Sequence, residues 1–257
     1  MNKWVQKSIK LANAQGYLDK LFEVYPIETG PTRTIGRDVQ EKMKAIFDSR
    51  NKIHLVRGLL SLPRFPIDDP YLASLRRHDS LLEKNPGTVK RISQKLFALG
   101  FDKILELINK PKSASRQFGS TFQKWLHSKD YKFLEWNDFK DFKGVAFLEG
   151  SDNVLQRFVQ KEVGIKNLKR KPDFLLKTRD KFVIGEAKFL TDYGGTQNNQ
   201  FDSALRISEL KNKNAIGVAV LDGIVWFNSN SYMHRKVKNA KGVVFSALLF
   251  DEFIKKR

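Results

Sequence analysis

The stretch KPDFLLKTRDKFVIGEAKF, residues 171–189, decides the fold. Two apolar runs with aromatic and β-branched residues, DFLLKT and KFVIGEAKF, flank Arg179-Asp180 and predict two strands. With Arg179 and Asp180 as a two-residue turn, Thr178 faces Lys181, and counting outward sets Asp173 directly opposite Glu186. Facing residues on antiparallel strands project from one sheet face with Cβ atoms about 4.5–5.5 Å apart, close enough for two carboxylates to share a divalent cation. Lys188 is two residues beyond Glu186, so the strand period puts it on the same face. Ala187 points the other way, but its backbone carbonyl offers a further oxygen. A set of hard oxygens without His or Cys suits Mg²⁺ or Mn²⁺ and so favours phosphate chemistry. Such a metal polarises the phosphate and lowers the pKa of a bound water, while Lys188 positions that water or stabilises the developing charge.

Outward from the hairpin the pattern alternates. Before it, FLEGSDNVLQRFVQKEVGI reads as a helix opened by Ser151 and closed by Gly164, with Leu155, Phe158 and Val159 inward. After it come a helix through NQFDSALRISEL, strands AIGVAVLD and IVWFN, and a final segment VVFSALLFDEFIKK. Residues 127–257 therefore predict a mixed α/β core. Residues 1–126 read as helices joined by Pro-containing turns, with Pro63, Pro66 and Pro70 marking a loop. Asn85, Pro86 and the stripe Val89, Ile92, Leu96 and Leu99 mark one clear helix, ended by Gly100. Two short helices around the polar turn KPKSAS carry Lys112, Arg116, Gln117 and Lys124 off their apolar stripe. They read either as a helix-turn-helix contacting DNA or as plain helical packing with a solvated basic face.

Composition narrows the partner. The 257 residues hold 47 Lys and Arg against 28 Asp and Glu, a formal net charge of +19. That surplus raises the local concentration of polyanions, with nucleic acid first among them. With no cysteine, disulfides, thiolate nucleophiles and Cys-bound zinc or iron–sulfur sites are excluded. The segment MNKWVQKSIKLANAQGYLDKLF lacks the apolar run of a signal peptide, and no stretch approaches the ~18 apolar residues of a membrane span, so a cytoplasmic protein without membrane contact is expected. The four histidines (His54, His78, His127 and His234) are scattered without ligand spacing. No GxxxxGK[ST] loop is present, so ATP is not implied.

Pro172-Asp173, twelve intervening residues, then Glu186-Ala187-Lys188 resembles the PD-(D/E)xK motif of the restriction-endonuclease-like nuclease superfamily. The likeness covers the C-terminal half. It implies a restriction-endonuclease-like core, a central mixed sheet flanked by helices, with residues 1–126 as an added helical lobe for DNA recognition or dimerisation. It also implies Asp173 and Glu186 as metal ligands and Lys188 as the catalytic lysine, with a further acid from before the hairpin, Glu149 or Glu162. Glu149 is preferred because it stands at the start of the helix beside Gly150. In LTDYGGTQNNQ, Gly194 and Gly195 permit close approach to phosphates. Gln197, Asn198, Asn199 and Gln200 either bond base edges or form a polar loop capping the next helix. With no motor or methyltransferase signature, the resemblance is strongest to a type II restriction endonuclease: a Mg²⁺-dependent homodimer cutting double-stranded DNA at a short site. The rivals are a repair or junction-resolving nuclease of the same superfamily and a non-catalytic basic DNA-binding protein.

Overall fold

The computed structural model describes residues 1–27, 35–110, 114–168, 170–179 and 181–256, with 114–117 as backbone only. In chain order, α1 (Lys3–Ala12) and α2 (Tyr17–Val24) lead to α3 (Arg37–Asp48), α4 (Lys52–Ser61), α5 (Leu72–Arg77), α6 (Leu81–Lys84), α7 (Pro86–Leu99) and α8 (Phe101–Asn109). There follow α9 (Ala114–His127), β1 (Phe133–Leu134), α10 (Trp136–Asp141), β2 (Ala146–Leu148), α11 (Asp152–Phe158), β3 (Phe174–Lys177), β4 (Phe182–Leu190), α12 (Gly195–Ser208), β5 (Ala215–Gly223), α13 (Tyr232–Lys238), β6 (Val243–Phe245) and α14 (Phe250–Lys255). Among the described residues the strands form one mixed sheet in the order β1-β2-β3-β4-β5-β6. The β2–β3 and β3–β4 pairs are antiparallel, and β1–β2, β4–β5 and β5–β6 are parallel. This is the mixed α/β fold expected, compatible with a restriction-endonuclease-like core.

The chain divides into two compact units, Met1–Ile27 with Ser113–Arg257, and Glu28–Lys112. The boundary expected at residue 126 is therefore displaced. Trp4, Val5, Tyr17, Leu21 and Val24 of the first helices, and Phe118, Phe122 and Leu126 of α9, are buried in the same cluster as Phe174, Val183, Val218 and Phe245 of the sheet. Helical periodicity separated these segments from the strands, but their apolar faces complete the sheet's own core. Glu28–Lys112 has its own core, including Leu55, Leu59, Leu82, Val89, Ile92, Leu96 and Ile104. In it, α7 begins at Pro86 and is followed by Gly100 at φ +79°. The two helices read as a possible helix-turn-helix fall in different units, α8 in this one and α9 with the sheet.

Three local readings change. IVW, expected as strand, forms a 3-10 turn at Ile224–Trp226 after Gly223, whose φ of +87° turns the chain out of β5. Phe147 and Leu148, expected at the head of the helix, belong to the buried strand β2. The helix begun at α11 ends in a π-turn, Val159–Val163, before Gly164 at φ +80°. Leu155, Phe158 and Val159 are buried as expected.

The candidate active site

The hairpin holds the expected register. Phe174 pairs with Gly185, Leu175 with Ile184, Leu176 with Val183 and Lys177 with Phe182. The Thr178 N–H donates to the Lys181 carbonyl at 2.9 Å, while Asp180 of the expected turn lies outside the described residues. Gly185 is required by contact: a Cβ there would stand 1.9 Å from the Phe174 ring. The ladder departs from regularity at its far end. Asp173 bends out of β3 and donates its N–H to the Gly185 carbonyl at 2.8 Å, so Asp173 and Phe174 both meet Gly185, as in a bulge. The facing Asp173–Glu186 pair expected from counting is thus replaced by a bend. The bend lets the Asp173 Oδ2 accept the Ala187 N–H at 2.8 Å in place of a backbone carbonyl.

The three motif residues nonetheless converge. Lys188 Nζ lies 2.8 Å from Asp173 Oδ2, 3.3 Å from Glu186 Oε1 and 3.0 Å from the Ala187 carbonyl oxygen. Glu186 is 1% exposed on the strand between β3 and β5. From α12, Ser203 Oγ donates to its carboxylate at 3.3–3.4 Å. Burial raises the pKa of Glu186, Lys188 opposes that shift, and Asp173 adds to it. Gln123 of α9 donates its side-chain amide to the Asp173 carbonyl, and Arg170 Nη1 stands 3.7 Å from Glu186 Oε1. Gln123, Ser203 and Arg170 carried no signal in the sequence, because each reaches the hairpin only through the tertiary fold.

The motif opens into a cleft of about 460 Å³ lined by Asp173, Ala187, Lys188, Arg170, Gln200, Tyr25 and Phe118, among others. A second cleft of about 230 Å³ holds Glu149, Gly150 and His127. Gln123, Asp152 and Asp173 line both. Glu149 therefore shares a cleft with Asp173 and lies 4.0 Å from His127 Nδ1. Glu162 lines neither cleft. Its carboxylate pairs with Lys140 at 2.9 Å and accepts from Trp136 Nε1 at 3.3 Å, and the Lys140 bond chiefly holds it below the usual carboxylate range. Asp152, in the first turn of α11, is an acid that sequence reading passed over.

The loop residues part company. Gly194 and Gly195 have φ of +91° and +49°, with open space where a Cβ would stand. Gln197 is spent on the loop, accepting from the Thr191 N–H at 3.0 Å and donating to Thr191 Oγ1 at 2.7 Å. Asn198 Oδ1 is buried with no hydrogen-bond partner, Asn199 is exposed and Gln200 lines the larger cleft. The side chains of Arg116 and Gln117 lie outside the described residues, as does Lys112.

Among the described residues, no three His, Cys, Asp or Glu side chains gather to hold a metal. The donor set here is smaller, two carboxylates and a main-chain carbonyl, yet all three oxygens already close on one cation, the Lys188 ammonium. Such a set fits a hard divalent ion, which is commonly held by one or two carboxylates and completes its shell with water and substrate phosphate.

A family model described as "Tsp45I type II restriction enzyme" matches residues 2–256, spanning both units. The chain belongs to this family. It is accordingly a site-specific deoxyribonuclease that binds and cleaves DNA. The repair-nuclease and non-catalytic readings are set aside, and type II restriction enzymes generally need a divalent metal. No curated protein and no solved structure matches the chain. No helix among the described residues is long and apolar enough to cross a membrane.

Proposed function

We propose that this restriction enzyme hydrolyses both strands of a short duplex site through a PD-(D/E)xK-type centre using Mg²⁺, with Mn²⁺ able to substitute, as a cytoplasmic homodimer that needs no ATP. The observation that carries this reading is the closure of Asp173 Oδ2, Glu186 Oε1 and the Ala187 carbonyl on one ammonium at 2.8–3.3 Å. These three oxygens hold the ion, which when bound polarises the phosphate and acidifies water. Ser203 and the Ala187 N–H orient the two carboxylates from behind. Lys188, on the cleft wall, orients the attacking water or stabilises the charge that develops on the phosphate. Glu149 joins from the adjoining cleft. Gly194, Gly195, Asn199 and Gln200 meet the DNA, with Asn198, Arg116 and Gln117 as further contacts. The Glu28–Lys112 unit, the larger part of the helical lobe expected over residues 1–126, serves recognition of the site or contact between the two subunits.

The test is direct. Purified protein with phage DNA should give discrete bands in Mg²⁺ or Mn²⁺ and none in EDTA, and Glu186→Ala should leave the DNA uncut. A Glu186→Ala variant cutting at the wild-type rate would move the centre elsewhere.

A further inference from the structure

Resting on that reading, we propose that Arg170 is a phosphate-binding residue of the cleavage site, its guanidinium gripping a backbone phosphate of the duplex in the larger cleft. The cleft has two cations near the motif, and they are differently engaged. Lys188 spends its ammonium inward on three oxygens and its side chain is 20% exposed. Arg170 is 52% exposed, lines the same cleft and has one charged neighbour, Glu186 Oε1, at 3.7 Å. At that distance no hydrogen bond forms. Among the described residues Arg170 makes no other ion pair and no side-chain hydrogen bond, so its fork of five N–H donors faces the cleft unspent.

A purely structural role for Arg170 is a poor match to this geometry. Glu186 already has Lys188 at 3.3 Å and Ser203 Oγ at 3.3 Å, and a loose pair to a half-exposed guanidinium adds little stability. The fork suits a bidentate contact to phosphate oxygens, and arginine is more weakly hydrated than lysine. Just after Arg170 the chain is anchored, by the Lys171 side chain donating to Asn153 Oδ1 at 2.6 Å and by the Asp173 N–H donating to the Gly185 carbonyl at 2.8 Å. A phosphate entering the cleft meets Asp173 and Asp152 as well, so an accessible cation is needed there to offset their repulsion.

The experiment measures affinity for a fluorescent duplex in EDTA across a salt series, for wild type, Arg170→Gln and Arg170→Lys, with Mg²⁺-started single-turnover cleavage run in parallel. Arg170→Gln should weaken binding roughly tenfold or more and reduce the slope of log K against log salt by about 0.9, the loss of one phosphate contact. Arg170→Lys should restore the slope but not the full affinity, because it keeps the charge and loses the fork. An unchanged slope in Arg170→Gln overturns the assignment, whether or not affinity or cleavage falls. Glu186→Ala separates the two failures: if it abolishes cleavage while Arg170→Gln keeps the wild-type slope, only the Arg170 inference falls. If Glu186→Ala still cuts, the proposed centre falls, and the salt slope still decides whether Arg170 touches phosphate.

Discussion

Two carboxylates lie buried on neighbouring strands of one sheet, Glu186 on β4 and Asp222 on β5, at 1% and 0% exposure. Burial is the first cause of a raised pKa in both. Their company differs. Glu186 faces two cations, Lys188 and Arg170, both of which line a cleft of about 460 Å³. Asp222 faces four uncharged donors: Tyr25 Oη at 2.8 Å, Tyr17 Oη at 3.3 Å, Ser246 Oγ at 2.5 Å and the Ala247 N–H at 3.1 Å. These donors come from α2 and the residue that follows it, Tyr25, and from the segment after β6, so Asp222 ties distant parts of the chain to the sheet. A buried, perturbed acid is thus not itself a mark of catalysis; the mark is cationic company with access to substrate.

The largest effect expected is on cleavage. Glu186→Ala should lower the single-turnover rate by at least ~10³, since losing a central metal ligand removes several kcal/mol of transition-state stabilisation. Asp222→Asn should keep the rate within about tenfold in folded protein. A folded Asp222→Asn enzyme that no longer cuts would break the comparison at its root.

Stability should reverse that order. Asp222→Ala strands three hydroxyls and an amide in the interior and should cost about 3 kcal/mol or more in urea denaturation, at ~1–3 kcal/mol for each buried group left unpaired. Glu186→Gln should stay within about 1 kcal/mol of wild type, since it replaces a buried charge with a neutral group of the same shape.

The third effect is a pH slope. The Asp222 carboxyl is raised from 3.8 to about 7 by burial, partly offset by its four hydrogen bonds. Between those values the folded state holds a proton that the unfolded chain has lost. The group therefore makes stability fall as pH rises from about 4 to about 7, with no further change above that. One proton limits the slope to about 1.4 kcal/mol per pH unit. Asp222→Asn should abolish this component, read as the difference between wild-type and variant stability measured over that window. A difference independent of pH would show that Asp222 is ionised throughout.

The sequence made Glu186 legible and Asp222 opaque for the same reason. A hairpin is local: a short turn and a period of two set the register, and the observed pairs Leu175–Ile184 and Lys177–Phe182 follow from counting. The bend at Asp173 did not follow, because it depends on the side chain capturing the Ala187 N–H. Asp222 passed as the polar end of the run AIGVAVLD, since Tyr17 and Tyr25 are close to it only in the fold. The same lack of local signal displaced the domain boundary and hid β1 and β2, whose two and three residues are too short to show a period. IVW misled in the other direction: its β-branched and aromatic residues favour strand, but Gly223 turns the chain first.

The smallest effect expected tests whether the two acids are independent, and it falls on Tyr25. Its hydroxyl donates to Asp222, while Tyr25 also lines the cleft that holds Asp173 and Lys188 and its ring packs edge-on against Phe189, with centroids 4.9 Å apart. Tyr25→Phe removes the hydroxyl and keeps the ring. One lost hydrogen bond should cost about 1 kcal/mol of stability, and because that bond favours ionised Asp222, its loss should move the pH slope toward higher pH. The cleft keeps its wall, so cleavage should stay within about threefold of wild type. If Tyr25→Phe instead left stability unchanged and cut the rate tenfold or more, the hydroxyl would act on the reaction centre, and Asp222 would belong to that centre through Tyr25.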